Sequence, residues 1–95
     1  MGKTGAVLIK DAERQYEGLR SSLGLLLEDH VVSMYVMDHE VDMTEEYSDN
    51  MGFIDEMEGT RYSNVKANVD KHGFQPVTAE TIGPKLREYD LVIPF

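Results

Sequence analysis

The chain predicts an α/β domain of three layers, α/β/α, built on a mainly parallel sheet of four to five strands. Three observations carry that expectation. Short apolar runs recur without strict alternation, as in strands covered on both faces. A stripe with helical period lies between the first two runs. The connections are tight enough for a right-handed βαβ unit.

The elements follow in order. Gly5-Ala6-Val7-Leu8-Ile9 is the first apolar run and the first expected strand. Asp11 stands where a helix cap accepts hydrogen bonds from free amides. The helix behind it carries Tyr16, Leu19, Leu23, Leu26 and Leu27 on one stripe, with Glu13, Arg14, Glu17 and Arg20 on the wetter side. Val31-Val32-Ser33-Met34-Tyr35-Val36-Met37 is the second strand. Met51, Ile54 and Met57 mark a second helix. Beyond Gly59-Thr60, the spacing of Tyr62, Val65 and Val69 reads as a third, ended at His72-Gly73 by a left-handed glycine. Gly73 to Thr78 is a weaker strand, irregular or at an edge because Pro76 lacks an amide donor. Gly83-Pro84 reads as the start of a short helix to about Glu88. Leu91-Val92-Ile93-Pro94-Phe95 closes the sheet. The expected order is β-α-β-α-α-β-α-β in a single domain, 1–95, without internal repeats or low-complexity segments.

Composition narrows the function. Hydrophobic residues make up 41% of the chain, enough for a packed interior. A domain of 95 residues hides a limited share of its surface, so a subunit interface would act as additional core. The net charge of −9 is opposite to the basic footprint that nucleic acid requires, and it disfavours anionic membranes. A basic partner, a cation or plain solubility fits it better. No apolar run approaches the length that spans a bilayer, and the first residues do not read as a secretory signal, so a cytoplasmic location is expected. Without cysteine the chain has no disulfide, no thiolate metal ligand and no thiol nucleophile.

Local motifs point to no reaction. Gly2-Lys3-Thr4 resembles the end of a phosphate-binding loop, but it lacks the upstream glycine and precedes a strand. Asp38-His39-Glu40 and Asp42 place an imidazole among carboxylates after the second strand, where open parallel sheets hold ligands. The other histidines, His30 and His72, lie in separate segments, and the residues read more simply as a solvated acidic turn. The five tyrosines and six methionines fit packing better than catalysis or a cofactor, and no cofactor is expected.

Two stretches carry a family resemblance. Tyr16-Glu17-x-Leu19-Arg20 continues to Leu23-Gly24-Leu25-Leu26-Leu27-Glu28-Asp29-His30-Val31-Val32-Ser33-Met34-Tyr35, and Tyr89-Asp90-Leu91-Val92-Ile93-Pro94-Phe95 forms the close. Together they resemble the DsrE family of sulfur-relay proteins over about a third of the chain. The resemblance implies a three-layer domain with a mainly parallel sheet. It also implies a homo-oligomer, trimer or hexamer, or assembly with related DsrE-like subunits. Active members pass sulfur as a persulfide on a cysteine near the third strand, after the second helix. The corresponding stretch here, Val77-Thr78-Ala79-Glu80, has none, and a threonine hydroxyl cannot hold a persulfide. The second half is also shortened, which puts the family's usual fifth strand in question.

Two main functional expectations follow, with an acidic adaptor for a basic protein as a lesser third. The first is a non-catalytic oligomeric subunit, a scaffold or partner for a cysteine-bearing relay protein. The second is a small-ligand or metal-binding module in which Asp11, Arg14, Asp38, His39 and Thr78 gather at the carboxyl edge of the sheet.

Overall fold

A computed structural model describes residues 3–95. Five strands form one sheet: β1 (Thr4–Ile9), β2 (Val31–Val36), β3 (Thr60–Ser63), β4 (Gln75–Pro76) and β5 (Leu91–Pro94). Their order is β4-β3-β2-β1-β5, and every pairing is parallel. The helices are α1 (Gln15–Leu27), α2 (Glu45–Glu56), α3 (Lys66–His72) and α4 (Ala79–Leu86). The expected class is the one observed. The sheet has one strand more than the expected order, β3, which pairs with β2.

The handedness of the crossovers explains where the helices lie. From β1 to β4 each strand is laid beside the one before it, always moving the same way across the sheet. Right-handed connections then put α1, α2 and α3 on a single face. The last crossover returns from β4 to the far side of β1, so the same rule sends α4 to the opposite face. The two cores agree with this. Val7, Ile9, Val32, Met34 and Val36 pack with Leu19 and Leu26 of α1, Tyr47 and Ile54 of α2, and Val69 of α3. Ala6, Leu8, Tyr35 and Met37 pack instead with Ile82 and Leu86 of α4 and with Tyr62 and Tyr89.

Asp11 caps as expected, its carboxylate accepting from the Glu13 amide, but the cap opens a 3₁₀ turn at Ala12–Arg14 before α1 begins. The buried face of α1 is Gly18, Leu19, Ser22 and Leu26, whereas Leu27, placed on the stripe by its spacing, is 70% exposed. The small residues decide this. A Cβ on Gly18 would lie 2.4 Å from the Ile9 side chain, so glycine lets α1 come down on β1. Ser22 satisfies its buried hydroxyl by donating to the Gly18 carbonyl at 2.9 Å.

Two expected elements are corrected. Residues 60–63, read as part of a helix through Tyr62, form β3: Tyr35 and Tyr62 are register partners, and their rings stack at 5.0 Å. That cross-strand contact is non-local, and the spacing of Tyr62, Val65 and Val69 cannot reveal it. α4 begins at Ala79 rather than at Gly83-Pro84. Thr78 and Thr81 form a reciprocal capping box that starts the helix one turn early, leaving Pro84 inside it. β4 is the short edge strand foreseen around Pro76, and Gly73 ends α3 with φ of 72°. Of the Gly2-Lys3-Thr4 triplet, Gly2 lies outside the described residues, and Thr4 opens β1 with no helix behind it.

Candidate functional site

In a parallel sheet all carboxyl ends emerge on one edge, so the loops after β1, β2, β3 and β4 share one end of the domain. Asp11 and Arg14 follow β1, Asp38 and His39 follow β2, and Thr78 follows β4. The five therefore lie along the expected edge. Among the described residues, no side-chain hydrogen bond or ion pair joins any two of them; Arg14 donates its backbone amide to the Asp11 carbonyl at 3.0 Å, closing the turn after β1.

Each is engaged locally. Asp11 caps the 3₁₀ turn. Arg14 pairs with Glu17 at 3.0 Å and lies over the Phe95 ring at 4.8 Å. Thr78 caps α4. Asp38 adopts a left-handed conformation, φ 68°, which aspartate tolerates better than most residues. The Asp38 amide donates to Asn64 Oδ1, and Asn64 Nδ2 returns a bond to Asp38 Oδ1, both at 2.8 Å. This exchange ties the loop after β2 to the loop after β3. His39 Nδ1 lies 2.9 Å from the Met37 carbonyl, which can only accept, so Nδ1 carries a proton. Nε2 is buried and has no hydrogen-bond partner among the described residues.

The residue that builds this edge is one the sequence reading missed. Asn68, in α3, is fully buried. Its Oδ1 accepts from the Val41 amide at 2.8 Å, and its Nδ2 donates to the His39 carbonyl at 2.9 Å and to Ser63 Oγ at 3.0 Å. One amide thus holds three segments. An asparagine inside a short helix, where alanine would propagate better, was the available signal.

Two concavities flank the Asp38–Asn64 bridge. One, of about 160 Å³, is lined by Leu8, Met37, Ile82 and Leu86, with Lys10 and Asp38 among its polar lining. The other, of about 310 Å³, is lined by Ser63, Asn64, Lys66, Asp70 and Val77. It lies between β3, whose outgoing loop leads to the three-helix face, and β4, whose outgoing loop leads to the other. That is the point at which α/β sheets open a crevice.

The comparisons with protein-family models, curated proteins and solved structures find no match. Among the described residues, no group of three or more histidines and carboxylates comes together as a metal site. Likewise, no helix among the described residues is long and apolar enough to cross a membrane. The phenols are core groups. Tyr35 and Tyr47 are fully buried, and Tyr35 shares a 2.7 Å hydroxyl contact with Tyr89. Burial, and for Tyr35 the Tyr89 hydroxyl as well, pushes both pKa values far above the ordinary phenol value. Neither can serve as a base near neutral pH.

Proposed function

We propose that the chain is a DsrE-like oligomeric subunit, a scaffold or partner without a thiol of its own, acting in the cytoplasm in sulfur metabolism or sulfur relay. The observation that supports assembly is the face of the sheet beneath α4. Parallel sheets are normally covered on both faces. Here three helices lie on one face, and the eight-residue α4 alone lies on the other. Its partners Leu8, Tyr35, Met37 and Tyr62 lie toward the carboxyl end of the sheet. By strand alternation Val31 and Val92 share that face, and they are 64% and 42% exposed. A second subunit, identical or related, would complete the missing layer. The chain has no cysteine, so on this reading covalent sulfur transfer would fall to a cysteine-bearing partner.

Sedimentation at micromolar concentration tests assembly. The expected species is a trimer or hexamer, shifted toward monomer by Val31→Glu and Val92→Glu while far-ultraviolet dichroism stays unchanged. A monomer at every concentration overturns assembly. A sulfane adduct seen by intact mass after polysulfide treatment overturns the non-carrier role.

A second reading, a small-ligand module at the carboxyl edge, is favoured by the concavity between β1, β2 and α4. It draws on Asp38 of the five expected site residues and adds Lys10.

A further inference from the structure

The concavity beneath α4 combines an apolar lining with two opposite charges. Leu8, Met37, Ile82 and Leu86 supply the apolar part, and Lys10 and Asp38 line the same space. Its volume, about 160 Å³, is close to the roughly 150 Å³ of an apolar cavity known to hold a benzene-sized group. The two charges are not spent on each other: among the described residues neither Lys10 nor Asp38 forms an ion pair. Lys10 anchors its backbone by donating its amide to the Phe95 carbonyl, and its side chain makes no hydrogen bond among the described residues. One Asp38 oxygen accepts from Asn64, and the other makes no hydrogen bond among the described residues. The turn that presents Asp38 is held by Asn64 from one side, while His39 is held by Asn68.

From this arrangement we infer that the concavity binds a small zwitterion with an apolar side chain, the chemistry of a free aliphatic or aromatic α-amino acid. The ligand's carboxylate would meet the Lys10 ammonium, its ammonium the open Asp38 oxygen, and its side chain the apolar lining. A purely apolar ligand would leave both charges unanswered, and a singly charged one would leave one unanswered. The inference rests on the second reading above and names its ligand class.

Amide chemical shifts of the isotopically labelled chain, titrated with L-leucine, isovalerate and isoamylamine in the millimolar range, provide the test. Leucine shifts the amides of Leu8, Met37, Asp38 and Ile82, and each single-charge analogue binds at least about threefold more weakly, the scale of one solvent-accessible ion pair. Lys10→Met weakens leucine and isovalerate but not isoamylamine. Asp38→Asn, which keeps a residue suited to the left-handed turn and an acceptor for Asn64, weakens leucine and isoamylamine but not isovalerate. The same spectra report whether each variant remains folded. Analogues that bind as tightly as leucine, or leucine binding unaffected by either substitution, overturn the zwitterion inference and leave the ligand reading standing. No shift at these amides with any of the three overturns both.

Discussion

Two buried tyrosines allow one chemical change to be made in two environments with opposite expected results. Tyr47 is 0% exposed, and its hydroxyl is buried with no hydrogen-bond partner among the described residues. Folding strips that hydroxyl of water and returns nothing, a cost of about 1–3 kcal/mol. Tyr47→Phe keeps the ring and its packing against the α1–α2 core and removes only the unsatisfied group. Stability should therefore rise by about 1 kcal/mol or more, which for a domain of this size moves Tm upward by about 4–8 °C per kcal/mol. Tyr35 is equally buried, but its hydroxyl meets that of Tyr89 at 2.7 Å. Tyr35→Phe discards a made bond and should cost about 0.5–1.5 kcal/mol. Urea unfolding at neutral pH measures both, provided the slope m is unchanged. A second readout separates hydroxyl chemistry from packing. Burial holds the folded Tyr47 phenol above its ordinary value, so above about pH 10 the unfolded chain gives up a proton that the folded chain keeps. The folded state then binds more protons, and its stability falls as pH rises. Tyr47→Phe should reduce that alkaline loss. A Tyr47→Phe chain less stable than the parent would refute the reasoning, because it would mean the hydroxyl is satisfied in solution.

Three further outcomes are expected. Asn68→Ala leaves the Val41 amide and the Ser63 hydroxyl without their side-chain partner, and should lower stability by about 2–4 kcal/mol in the same urea assay. Gly18→Ala gains helix propensity but drives a methyl into Ile9, so a net loss of about 1–2 kcal/mol is expected, reduced when combined with Ile9→Ala in a double-mutant cycle. Asp90 accepts from the Thr4 amide at 2.9 Å and from the Thr4 hydroxyl at 3.2 Å, bonds that hold its pKa below the usual aspartate value. Its contribution is present above about pH 4 and disappears as pH falls through the lower folded value, so Asp90→Ala should lower Tm at pH 7 and converge with the parent in strong acid.

Elements specified by contacts close in sequence could be read from the chain. The apolar runs at 5–9, 31–37 and 91–95, the capping aspartate Asp11, the glycine that ends α3 and the weak edge strand at Pro76 all express local rules of backbone and side-chain preference. β3 could not be read in that way. Thr60-Arg61-Tyr62-Ser63 has no periodic signature, and it becomes a strand because β2 offers an open edge and Tyr35 a ring to stack on. The start of α4 lay with Thr78 and Thr81, two polar residues whose capping pattern was overshadowed by the proline that follows them.

The same division applies to the site. Residue types and the parallel-sheet rule placed Asp11, Arg14, Asp38, His39 and Thr78 on the carboxyl edge, because strand direction alone settles which loops share an end. Which of them share a cavity was decided by the third dimension. The return crossover puts α4 over Leu8 and Met37, and that brings Lys10 into one concavity with Asp38 while Arg14 turns to Glu17 and Phe95. It also leaves Val31 and Val92 uncovered. Sequence reports what each segment prefers by itself. Only the packed chain reports which segments meet, because that depends on contacts between residues far apart along it and on the handedness of the connections between strands.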